Sequence, residues 1–252
     1  MARDALTTPT AESIAQSYPA ALQREHQVLY PYSYYVLGRP SLMLATWSIR
    51  LGLSANTVTL ISALVSAIGL GLIVWRADYL VGAILLNLGL LLDCADGHIA
   101  RFQSNSSRFG ALADALVAFF TYSLLPLCVG WSLYSAPPEP WLEGLTVEFP
   151  REWWLLAGVC RSTCALLTLA VGLQAKLLNK VGYSDTVNRR SLLFVARSIG
   201  EGEFFLLLVA SLLSAVGILH LAYSVFQLLV LAGVIWVSLG YARSIDKGRG
   251  QS

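Results

Sequence analysis

Between Leu91 and Ala118 the chain reads LLDCADGHIARFQSNSSRFGALADALVA. Three carboxylates, Asp93, Asp96 and Asp114, and the guanidinium of Arg101 stand inside or beside runs of leucine, alanine and valine with the character of membrane helices. An ionised aspartate at the centre of a bilayer costs roughly 2.5–3.5 kcal/mol. Three of them in one region require compensation, and the fold must supply it. At about 100° per residue, Asp93, Asp96, Gly97 and Ala100 share one helix face, with Arg101 at its edge. Asp114 follows in the opening turns of a second helix, after the polar hinge from Gln103 to Arg108, so two helices can bring all three acids together. Carboxylates gathered at one point call for a divalent cation, and all-oxygen ligation suits Mg²⁺ or Mn²⁺. The glycines and alanines alongside leave room for a ligand to come close to the backbone.

The composition fits a membrane setting. Of 252 residues, 56% are hydrophobic and 13% charged, whereas soluble domains carry about 25% charged residues. A net charge of +2 gives no reason to expect nucleic acid as a partner. The economical division is a polar segment, 1–29, followed by one integral-membrane domain, 30–252. Within the first 25 residues no apolar core is long enough for a cleavable signal, so the first membrane helix is expected to direct insertion. Cys94, Cys128, Cys160 and Cys164 all lie in apolar segments; Cys160 and Cys164 stand one helical turn apart with no histidine nearby and read as small buried packing residues.

The pattern Asp93-x2-Asp96-Gly97-x2-Ala100-Arg101-x8-Gly110-x3-Asp114 resembles the signature of the CDP-alcohol phosphotransferase family, D-x2-D-G-x2-A-R-x8-G-x3-D-x3-D. Seven of its eight fixed positions match at the family's spacing; at the eighth, where the family has a last aspartate, stands Ala118. The resemblance implies transfer of a substituted phosphoryl group from a CDP-alcohol, such as CDP-diacylglycerol, to an acceptor alcohol with release of CMP, in phospholipid or related biosynthesis. On the family pattern Asp93, Asp96 and Asp114 hold two metal ions that bridge the diphosphate. Gly97, Ala100 and Gly110 accommodate the cytidine end, and Arg101 supports the acids or the nucleotide. The missing aspartate is the family's further metal ligand and general base. Family members are often homodimers, and a dimer is expected here on that ground alone.

Upstream, Tyr30–Leu53 is aromatic and aliphatic but interrupted by Pro31, Arg39, Pro40 and Arg50, which fits a helix lying in the membrane interface. An amphipathic interfacial helix ahead of the first span is also what the resemblance implies. Ser54 reads as an N-cap, with Asn56 and Thr59 on one side of the helix that it opens. That opening resembles the family's PN-x-x-T element, with Ala55 in place of proline, which makes Asn56 and Thr59 candidate nucleotide contacts. The expected fold is thus an all-α polytopic membrane protein with an interfacial helix at about 30–53. Six transmembrane helices follow, near 55–75, 79–102, 109–134, 152–178, 201–221 and 223–244.

With the N-terminus inside, most basic residues fall in inner loops and only Arg76 and Arg151 in outer ones. Both termini and the acids are then expected on the cytoplasmic side, in what is expected to be a bacterial inner membrane. The inner loop 176–202 is basic, and Arg190 and Arg197 are its candidates for an acceptor phosphate, because paired guanidinium bonds suit phosphate. Arg161, inside the fourth span, calls for a cavity or a partner; since some relatives use intramembrane arginines for phosphorylated acceptors, it joins the acceptor candidates. Glu201 and Glu203 read as partners for Arg197 or as helix caps, and His220 falls in an outer turn.

Ala118 can neither ligate a cation nor accept a proton. It reads as an Asp→Ala substitution made to trap a substrate complex, as a natural relative that has lost activity, or as an enzyme with its base elsewhere. Seven intact motif positions favour the first. The other function classes to weigh are a non-catalytic CDP-lipid-binding protein and a cation or lipid transporter. The second lacks the internal repeats and broken helices that would support it.

Overall fold

The computed structural model describes residues 9–20, 23–24, 27, 30–103, 108–136, 150–179 and 202–249. Among these the chain is helical throughout, without a strand. A short helix, α1 (Ala11–Gln16), comes first. A π-helical turn over Ser33–Leu37 runs into α2 (Gly38–Arg50). Then follow α3 (Ala55–Arg76), α4 (Tyr79–Phe102), α5 (Arg108–Ser135), α6 (Arg151–Asn179), α7 (Glu203–Leu212) and α8 (Val216–Arg249).

Helices α3 and α4 form the antiparallel pair that carries the motif. Ser54 caps α3 by accepting from the Thr57 amide at 3.2 Å, as its place before an apolar run predicts. Ala77 ends α3 in the left-handed region at φ 52°, and Asp78 caps α4 by accepting from the Val81 amide at 3.1 Å. This two-residue turn folds α4 back along α3. The seam between them is small: a Cβ added to Gly69 would lie 2.9 Å from the Gly82 carbonyl, and the Ser62 hydroxyl donates to the Gly89 carbonyl at 2.9 Å. Small residues let membrane helices approach closely enough for dispersion and hydrogen bonds to hold them.

Helix α5 packs on α3 and on α6. At the second crossing a Cβ on Gly130 would come within 3.0 Å of the Gly158 α-carbon. The Tyr79 hydroxyl donates to Ser132 at 2.9 Å and ties α4 to α5. Asn87 of α4 accepts from the Tyr32 hydroxyl at 2.7 Å and donates to the Phe204 carbonyl of α7 at 2.9 Å. The main core, with Ile73, Leu86, Leu125, Leu133 and Phe204, fills the space between these helices.

Among the described residues four stretches are long and apolar enough to cross a membrane: Ala55–Arg76, Tyr79–Phe102, Leu112–Ser135 and Val216–Gly233. They make the chain an integral membrane protein. The last two expected spans are divided differently. Helix α7 ends after ten residues, and the break falls at Leu213–Ala215 rather than near residue 222. Ser214 takes φ 54°, and the Ala215 amide reaches back to the Ala210 carbonyl at 2.7 Å, a Schellman closure with serine in glycine's usual place. His220, expected in an outer turn, consequently lies inside α8 and is 1% exposed.

Helix α2 exposes Met43 and Trp47, and its C-cap Leu51 is exposed too, while Ser41, Thr46 and Ser48 are buried, the reverse of a helix that faces water. At the N-terminus a helix covers Ala11–Gln16. Its Ile14 is wholly buried against Ala45, Val58, Ala95 and Ile99.

Candidate metal centre

Asp93 and Asp96 stand three residues apart near the end of α4, and Asp114 two turns into α5. One oxygen from each lies within 4.8 Å of the others. Burial is graded across the cluster: Asp96 is 5% exposed, Asp93 is half-buried and Asp114 is exposed. The α3–α4 pairing brings Thr59 across to the most sheltered acid, its hydroxyl donating to Asp96 Oδ2 at 2.5 Å. Among the described residues the one ion pair in the chain is elsewhere. Among the described residues, no cation of the protein is therefore bonded to the three carboxylates. Two oxygens on opposite sides of one Mg²⁺ are about 4.2 Å apart, twice its usual bond length, so the cluster fits a hard divalent cation with little adjustment of side chains.

Arg101 lies next to the acids without bonding to them. Its guanidinium carbon stands 4.4 Å from the centroid of the Tyr18 ring, and Nη2 lies 3.4 Å from His98 Nδ1. A Cβ added to Gly97 would come within 3.3 Å of both terminal nitrogens. The absence of a side chain at Gly97 thus makes room for Arg101. Ala100 and Gly110 are half-buried near by in sequence. Asn56 is exposed at the start of α3, so of the Asn56–Thr59 pair only Thr59 reaches the cluster. Ala118, half-buried, follows Asp114 by one turn on the same face of α5.

The remaining candidates lie apart from the cluster or outside the described residues. Arg161 is 3% exposed and is held inside the protein by an ion pair with Glu203. Its Nη1 donates to His220 Nδ1 at 2.9 Å, and its guanidinium carbon stands 5.3 Å from the Tyr223 ring centroid. His220 Nε2 faces the Trp154 carbonyl at 3.3 Å, so the imidazole carries its proton there and accepts from Arg161 at Nδ1. These protein partners account for the Arg161 charge without an acceptor phosphate. Glu203, in the first turn of α7, meets Arg161. Arg190, Arg197 and Glu201 lie outside the described residues. Sequence reasoning passed over Tyr18 and the His220 contact; for the second, an arginine in an apolar run was signal enough that a buried partner must exist.

The family model for CDP-alcohol phosphatidyltransferase matches residues 53–239. Among solved structures, phosphatidylinositol phosphate synthase (PgsA1) of Mycobacterium tuberculosis in complex with manganese and citrate is similar at 17% identity and TM-score 0.49. That match covers 77% of this chain and 88% of the other. The apo form of the same synthase is similar at 19% identity and TM-score 0.48, over 77% and 94% of the two chains. No curated protein matches the chain.

Proposed function

The chain belongs to the CDP-alcohol phosphatidyltransferase family, and from that premise we propose that the Asp93–Asp96–Asp114 cluster binds the diphosphate of a CDP-alcohol. The family joins a CDP-alcohol donor to an alcohol acceptor in phospholipid biosynthesis. The observation that carries the proposal is the convergence of the three carboxylate oxygens within 4.8 Å, at motif positions inside the matched region. The acceptor oxygen attacks the phosphorus bearing the donor alcohol, the bond from that phosphorus to CMP breaks, and the acceptor's proton passes to a base. Asp93, Asp96 and Asp114 would hold Mg²⁺ or Mn²⁺, two ions on the family pattern, which when bound neutralise the diphosphate and the departing CMP. Thr59 holds Asp96 in position, Gly97 and Arg101 line the same face, and Ala100, Gly110 and Asn56 complete the nucleotide side. Arg190 and Arg197 remain our candidates for an anionic acceptor, whereas Arg161 is committed to Glu203 and His220.

Ala118 supports a second reading, in which this chain binds CDP-lipid without turning it over. Losing a general base costs about 10²- to 10⁴-fold in rate. Ala118→Asp should therefore raise Mg²⁺-dependent CMP release from CDP-diacylglycerol by a factor in that range. Equal CMP release by both forms would show that the base lies elsewhere. We further propose residues 30–252 as one domain, a cytoplasmic-facing site in a bacterial inner membrane, and a homodimer. Thiol labelling of single cysteines at 103 and 136 from either side of the membrane tests the orientation, and light scattering in detergent tests the dimer.

A further inference from the structure

The segment ahead of the membrane helices is seated on the motif. Thr10 and Ser13 cap α1 reciprocally, at 3.1 and 3.0 Å. Arg50 donates to the Pro9 carbonyl at 3.2 Å, and Ile14 is wholly buried between α2, α3 and α4. Just past α1 the chain delivers Tyr18 to the last turns of α4. Its ring takes the Arg101 guanidinium at 4.4 Å and meets the His98 ring edge-on at 5.8 Å.

An arginine on a long stem beside three acids would ordinarily fold onto them, since paired guanidinium–carboxylate bonds are strong. Here, among the described residues, Arg101 forms no ion pair with Asp93, Asp96 or Asp114. Its contacts are Gly97, His98 and Tyr18. We propose that Tyr18 is a positioning residue: its π-face holds the Arg101 charge beside the acid cluster and off it, leaving the carboxylates open to divalent cations and the guanidinium turned to the anionic donor. The donor half of this statement rests on the CDP-alcohol reading; the cation half does not.

The test uses the full chain in detergent, with Mn²⁺ alone and Mn²⁺ with CDP as probes. Tyr18→Leu keeps bulk against α4 but has no π-face. It should bind Mn²⁺ about fivefold more weakly, the scale of a partly buried cation–π contact, because Arg101 then competes for the acids. Tyr18→Phe should bind as the parent does, and adding Arg101→Ala to Tyr18→Leu should restore Mn²⁺ affinity. Unchanged Mn²⁺ affinity in Tyr18→Leu, a Tyr18→Phe as weak as Tyr18→Leu, or a loss that persists without Arg101 overturns the proposal. In the CDP arm, Tyr18→Leu should weaken binding and Tyr18→Phe should not. A parent chain that binds Mn²⁺ but no CDP overturns the donor reading, while the Mn²⁺ comparisons still decide the role of Tyr18.

Discussion

Asp96 is the sheltered member of its cluster, and the Thr59 hydroxyl at 2.5 Å fixes one of its oxygens. Groups that hold a metal ligand from behind are worth about 10- to 100-fold in metal affinity. Thr59→Val should accordingly weaken Mn²⁺ binding by about tenfold with little change in melting temperature, as read by electron paramagnetic resonance titration; unchanged affinity would make Thr59 a packing residue. The acids themselves could be picked out of the sequence because a carboxylate in an apolar run is costly and its spacing on a helix is countable. Thr59 was accessible as a residue one turn from a helix start. Tyr18 was not, because an aromatic in a polar N-terminal stretch has no periodic relation to Arg101; only the burial of Ile14 brings the two together.

At the scale of helices, the Arg161–Glu203–His220 contacts join α6, α7 and α8 through one buried charge. Removing one partner of a buried pair leaves the other uncompensated, at about 3–5 kcal/mol. Arg161→Leu should lower stability by that order, and Arg161→Leu with Glu203→Leu should recover most of it. Thermal unfolding in detergent compares them, and two variants of equal stability would mean that Glu203 finds another partner. The long apolar runs of α3, α4 and α5 are read correctly from hydropathy because each is bounded by a cap or a polar hinge. The α7–α8 break escapes the same reading because it is made by Ser214, with neither glycine nor proline to mark it. A left-handed serine is set by the packing of its surroundings, which a pattern of apolar residues does not record.

For the molecule as a whole, the site is assembled where three consecutive helices, α3, α4 and α5, meet, so a ligand that bridges them stabilises their packing. At a hundred times its dissociation constant a ligand adds about 2.7 kcal/mol. CDP should raise the melting temperature with Mn²⁺ present and fail to do so in excess chelator. A rise independent of metal would place the nucleotide away from the acids, and a response to cations alone would favour an ion carrier. The membrane character of the chain was legible from composition, and the family from seven spaced residues. The docking of α1 on the domain was not, since six residues of polar-looking helix gain their place from one buried isoleucine.

The graded burial of the three acids gives the cluster a floor and a doorway. Asp96 lies at the floor and Asp114 at the open side, so an ion held by the first would exchange past the second. A nucleotide seated over that ion would stand in the same doorway. On the proposed reading the nucleotide would leave first and the ion after it, and the ion's residence time would depend on how long the doorway is occupied.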